Sequence, residues 1–105
     1  MPKLMVIYPV PADVETFEKV YQEDHVPIVV EKVPRKTKLV ATRIVGSPAG
    51  DAPYHRIAEV HFRSMEDLQQ AAASPGAEEA LAHAAEISTG GAPLVLIAEE
   101  ESFEF

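Results

Sequence analysis

Apolar positions follow two rhythms along this chain. Leu4-Met5-Val6-Ile7-Tyr8 and Leu94-Val95-Leu96-Ile97-Ala98 are apolar at nearly every position, whereas Val14, Phe17, Val20 and Tyr21 recur at the spacing of one helix face. The first run, Lys3–Tyr8, is closed by Pro9 and Pro11 and reads as a strand. Asp13 is a good N-cap for a helix over Val14–Glu23. Proline disfavours the α conformation at the residue before it, so a break is expected at Asp24-His25-Val26-Pro27. A shorter helix over Pro27–Val33 then follows, with Pro27 tolerated in its first turn and Pro34 ending it. Leu39–Val45 and Tyr54–Phe62 read as a second and third strand about the turn-rich Gly46–Pro53 segment. Ser64-x-x-Asp67 resembles a capping box opening a helix over Met65–Ala73, and Ser74-Pro75 restarts one through Glu78, Leu81 and Ala85. "STGGAP" stops that helix, and Leu94–Glu101 is the fourth strand.

The order strand, helix, strand, strand, helix, strand is the split βαβ pattern of an α+β, ferredoxin-like fold. It predicts a four-stranded antiparallel βαββαβ sheet with helices on one face, the first and third strands central and the fourth at an edge. The first and last strands do not alternate as half-solvated strands should, so both of their faces call for cover. The helices supply cover on one side only, and a bare apolar edge strand invites aggregation. A homodimer in which two sheets pack face to face answers both demands.

Composition narrows the partners. The 105 residues make one domain, residues 1–105, with 47% hydrophobic and 25% charged residues, the balance of a folded globular chain. Nine Lys+Arg against 17 Asp+Glu give a net charge of −8, which argues against nucleic acid and against an anionic membrane surface. The one basic cluster, Lys32–Lys38, reads as a solvated helix end and loop. There is no cysteine, so disulfides and thiolate metal sites are excluded. No apolar run approaches the ~20 residues that span a bilayer, and the N-terminus lacks the pattern of a signal peptide, so the cytoplasm is the expected compartment.

Candidate chemistry centres on His25, whose imidazole suits acid–base work near neutral pH. Tyr21, four residues earlier, would share its helix face. On the third strand His55, Ile57, Glu59 and His61 alternate onto one side, and Arg56, Ala58, Val60 and Phe62 onto the other. Glu59 and His61 are then placed to line a cavity or the dimer interface. Arg43, sharing a face with Leu39 and Ala41, is a candidate partner for Glu59 or for an anionic ligand. Tyr8, at the end of a central strand, would line the mouth of a pocket. His83 among alanines reads as part of a wet helix face. Glu59 and His61 with His25 or His55 would meet the chemistry of a His-and-carboxylate metal centre, but no ligand spacing such as H-E-x-x-H occurs. No metal and no cofactor are expected.

Three segments together, "YQEDHVPIVVEK", "RIVGSPAGDAPYHRIAEVHFRSMEDLQQAAASPGAEEAL" and "LVLIAEEE", resemble the EthD family. The telling pieces are His25-x-Pro27, Gly46-Ser47-Pro48, Pro53-Tyr54, Ala58-Glu59 and Ser74-Pro75-Gly76. The resemblance implies a dimeric α/β barrel, and His25 matches the family's histidine. The family is named for a gene cluster of ethyl tert-butyl ether degradation, and similar domains serve polyketide and aromatic pathways as cofactor-free cyclases or dehydratases. The chain departs from the pattern at Ile87–Gly91 and at His61, where a large aromatic is commoner. The expectation is a dimer binding a small hydrophobic or aromatic molecule. As a cofactor-free cyclase, isomerase or dehydratase it would use His25 as the leading acid/base, Glu59 or His61 as its partner, and Tyr8, Tyr21 and Arg43 beside the ligand. The alternative is a non-catalytic protein that binds a metabolite or assists an oxygenase system.

Overall fold

A computed structural model describes residues 1–105. Strands β1 (Pro2–Pro9), β2 (Lys36–Arg43), β3 (Tyr54–Phe62) and β4 (Leu94–Glu99) form one antiparallel sheet in the order β2-β3-β1-β4. Helices α1 (Val14–Val20), α2 (Val26–Lys32), α3 (Met65–Ala72) and α4 (Pro75–Ile87) pack on one face of it. This is the α+β, ferredoxin-like arrangement that the strand and helix order implies, with β1 and β3 central and β4 at an edge. No helix is long and apolar enough to cross a membrane.

Pairing register shows which side chains share a face. Leu4 lies opposite Val60 and Ile97, and Val6 opposite Ala58 and Val95, so these six share the helix side of the sheet. Lys3, Met5 and Ile7 lie opposite His61, Glu59 and Ile57 on one side and Ala98, Leu96 and Leu94 on the other, all on the open face. The core therefore forms between sheet and helices, where Leu4, Val29, Val60, Phe62 and Leu68 interlock beside a second group of Val6, Tyr8, Phe17, Tyr21 and Ala84.

The expected break at Pro27 does not occur. Val26 keeps helical dihedrals (φ −56°, ψ −45°), and the chain passes from α1 into α2 through a π-helical turn, Tyr21–His25. Pro27 offers no N–H to the carbonyl four residues back, and its ring would collide with that carbonyl in a regular helix. The turn ahead of it widens by one residue, and the Val26 N–H donates to the Tyr21 carbonyl five residues earlier. The helix survives, and Tyr21 and His25 are both buried on its inner side.

Three further caps behave as their sequences require. Asp13, Ser64 and Ser74 accept from the backbone N–H of Thr16, Asp67 and Ala77 at 3.0–3.1 Å. At the other end of α2 the Lys36 ammonium donates to the Val30 and Val33 carbonyls, so part of the basic run caps a helix C-terminus. That run also enters the sheet, since β2 begins at Lys36 rather than at Leu39. The turn between α3 and α4 brings Gly76 against α2 so closely that a Cβ there would sit 1.9 Å from the Lys32 carbonyl oxygen. Glycine at that position lets α4 close against α2.

Candidate active site between the helices and the sheet

Tyr8 ends the buried row of β1 and is wholly enclosed. Its hydroxyl lies 3.2 Å from His25 Nε2, and on the other edge of the same ring His25 Nδ1 lies 2.9 Å from His83 Nδ1. The two imidazoles are parallel to within 13°. Tyr21 flanks the His25 ring at 5.6 Å between centroids, and Phe17 lies against Tyr21 at the same spacing.

Tautomers follow from counting donors. Tyr8 has no partner other than His25 Nε2, so if that nitrogen carried the proton the buried hydroxyl hydrogen would lack an acceptor. Tyr8 O–H therefore donates to Nε2, and the His25 Nδ1–H donates to His83 Nδ1. Burial holds His25 neutral, lowering its pKa from 6.5 to about 4, with the nearby His83 ring adding to the effect. Burial likewise raises the Tyr8 phenol above its ordinary range. At neutral pH Tyr8 and His25 are both uncharged.

Beside it stands a charged group. The Arg56 guanidinium reaches Glu18 through Nε at 3.0 Å and Nη2 at 2.6 Å, and lies over the Tyr21 ring 4.9 Å from its centroid. His55 Nε2 also approaches Glu18, at 3.0 Å. Hydrogen bonding from Arg56 holds the Glu18 carboxyl down, at a pKa of about 2. This corrects the strand reading of His55. A register shift between Tyr8 and Pro9 opposes Tyr8 to Arg56 and Pro9 to Tyr54, which leaves His55 as the bulged residue. The bulge turns His55 to the helix side with Arg56, against Phe17 and Glu18, and away from Ile57, Glu59 and His61.

The apolar cavity next to this chain runs between the sheet and α2 and α4. Its walls are Leu4, Val6, Val29, Val60, Phe62, Ala77, Ala80, Leu81 and Ala84, with Tyr21 and Val26 beside His25, its one imidazole. Its free space is about 40 Å³, too small for an aromatic molecule unless the walls part.

Glu59 and His61 lie on the opposite side of the sheet from His25. The Lys3 ammonium bonds Glu59 and also reaches Glu100 at 3.4 Å. His61 Nδ1 lies 3.8 Å from the same Glu100 oxygen. The structure thus brings Tyr8 and Tyr21 to His25, but forms no pairing of His25 with Glu59 or His61. Arg43 lies across from Arg56 at the exposed end of the edge strand β2, while Val40 occupies the position opposite Glu59, so an Arg43–Glu59 pair does not form. No three candidate metal ligands converge. His83 is the residue that sequence reasoning missed. Its signal was a histidine one position before buried Ala84, in a helix that Gly76 brings against α2.

A ferredoxin-like sheet with a histidine held between its helices and an apolar cavity defines the class. The EthD domain model matches residues 11–88, and the chain belongs to the EthD family. A crystal structure of an EthD family protein from Bacillus halodurans superimposes with a TM-score of 0.89 at 30% identity, covering 96% of this chain and 99% of that one. A protein of 11.0 kDa from the thcB–thcC intergenic region of Rhodococcus erythropolis is 28% identical over 95% of this chain and 96% of its own length. Hydroxynitrile lyase from Passiflora edulis shares the fold at a TM-score of 0.70 and 16% identity, covering 98% of this chain and 96% of that one.

Proposed function

We propose that this chain is a homodimeric, cofactor-free acid–base enzyme acting on a small apolar molecule, with His25 at the reacting end of the helix-side cavity. The observation that carries the reading is the Tyr8–His25–His83 chain ending on a cavity whose other walls are apolar. A buried, neutral imidazole fixed in one tautomer is what a proton-transfer site needs, and apolar walls exclude competing water. Cyclisation, isomerisation and dehydration all fall within this chemistry. The hydroxynitrile lyase of the same fold supports a lyase-type reaction without fixing the substrate. Glu59 and His61 belong to the dimer interface in this reading. The open face presents Met5, Ile7, Ile57, Leu94 and Leu96 without cover, and Leu96 alone is 46% exposed. A second copy packed on this face buries these side chains.

One observation favours a second reading, a non-catalytic dimer that stores a metabolite or assists an oxygenase system. The free space of about 40 Å³ is far below that of an ordinary ligand site. The two readings separate by experiment. A panel of small aromatic and alicyclic compounds titrated into the labelled protein should shift the methyl signals of Leu4, Val29 and Leu81 saturably. Conversion of any bound compound should vanish in His25→Leu while its binding persists. Binding with no difference in conversion between wild type and His25→Leu supports the non-catalytic dimer, and binding confined to other residues overturns both readings.

A further inference from the structure

Both ring nitrogens of His25 are spoken for, and a ligand in the cavity reaches neither without displacing a partner. The two partners differ in how firmly they are held. Tyr8 is fully enclosed on a central strand, with its ring edge-on against Phe17, Tyr21 and His25. His83 is half-buried on the outer side of α4, its ring is absent from the cavity wall, and its bond to His25 is the only one it makes within the chain. Leaving that position returns its imidazole to water, whereas moving Tyr8 would strand a buried hydroxyl.

Resting on the acid–base reading of this cavity, we infer that His83 is a displaceable gate, and that the atom taking its place on His25 Nδ1 is the carbonyl oxygen of an otherwise apolar ligand. Tyr8 occupies Nε2 as donor, so neutral His25 can only offer Nδ1–H, and the group that fits there is an acceptor. Apart from His25 and the Tyr21 phenol the wall carries no polar side chain, and it selects a molecule that is apolar but for its one acceptor. A neutral imidazole N–H polarises a carbonyl without itself titrating, and burial keeps His25 in that form at neutral pH. Withdrawal of the His83 ring frees Nδ1 of His25, which itself lines the cavity. No bond is made or broken in this step. His25 lends a hydrogen bond, and the carbonyl becomes electron-poor enough to activate the adjacent carbon.

The test compares acetophenone with α-methylstyrene, which has the same shape with CH₂ in place of oxygen. Wild type, His83→Ala and His25→Leu are titrated with each, followed by methyl chemical shifts, and the ¹³C=O stretch of labelled acetophenone is recorded bound. Removing a neutral hydrogen bond that the ligand must otherwise break should tighten acetophenone binding roughly 3- to 10-fold in His83→Ala. The carbonyl stretch should fall in wild type and His83→Ala and return to its apolar-solvent value in His25→Leu. α-Methylstyrene should bind more weakly than acetophenone in the first two proteins and equally in the third. Binding of both compounds in the cavity with no preference, no lowered stretch and no effect of His83→Ala overturns the gate while leaving the cavity reading intact. Failure of both compounds to bind in any variant overturns the gate and the cavity reading together.

Discussion

The two faces of one sheet carry two polar clusters built on opposite terms. Behind the helices, Tyr8, His25 and His83 form a hydrogen-bonded chain in which burial holds His25 neutral. On the open face, Lys3 ion-pairs with Glu59 and Glu100, with His61 Nδ1 3.8 Å from Glu100, all set among Met5, Ile7 and Leu96. Both draw on β1, Tyr8 from the face under the helices and Lys3 from the open one. An enclosed site can hold titratable groups ready for chemistry only if it keeps them uncharged or paired. A face awaiting a partner can keep its charges in water until the partner arrives.

The largest effect is expected where the apolar open face is broken. Leu96→Asp would place a carboxylate in the proposed dimer interface twice by symmetry, forfeiting about 2 kcal/mol of apolar burial per copy before any cost of the buried charge. The dimer dissociation constant should rise at least ~1,000-fold. Light scattering at micromolar concentration should show twice the 11.4 kDa chain mass for wild type and the single chain mass for the variant. A wild-type monomer contradicts the role given to this face.

Next comes acid. His25 has a folded pKa of about 4 against 6.5 unfolded, so protonation favours the unfolded chain. Its contribution is complete above pH 6.5 and is lost as pH falls toward 4, of the order of 3 kcal/mol in all. Glu18, held at about 2, adds a loss only below pH 4.5. Denaturant melts of wild type and His25→Leu should diverge in slope between pH 6.5 and 4 and run parallel above it. Equal slopes throughout would mean that His25 is not held neutral by the fold.

A smaller loss is expected for Tyr8→Phe, which leaves His25 Nε2 unpaired at a cost of about 1–2 kcal/mol in urea melts. The smallest belongs to the open face. Glu59→Gln in a monomeric Leu96→Asp background should change stability by less than about 1 kcal/mol, because the Lys3 pair is still partly solvated there. A larger change would show that this cluster is already as enclosed as the helix-side one.

Much of the fold was legible because strand and helix periods are local. The four strands, the Ser and Asp caps and the apolar edge all follow from near neighbours in sequence. His25 stood out for the same reason, as a histidine beside a proline. What was not legible depends on distant residues. Whether Pro27 breaks a helix or only widens its preceding turn is decided by how firmly Tyr21 and Val29 pack on the sheet. The side on which His55 emerges depends on a one-residue slip against β1. His83 reads as solvated in any periodicity plot, and joins the site only because Gly76 lets α4 close on α2. Glu59 and His61 were read onto one face correctly, but which cluster that face serves is set by where the helices fall.

The most direct test of the helix-side site is ring-¹⁵N NMR of the four histidines at pH 7. His25 should appear as the Nδ1–H tautomer, with its proton slow to exchange and coupled across the hydrogen bond to His83 Nδ1, and should stay neutral until pH approaches 4. An Nε2–H tautomer, or a His25 that titrates near 6.5, would contradict the account.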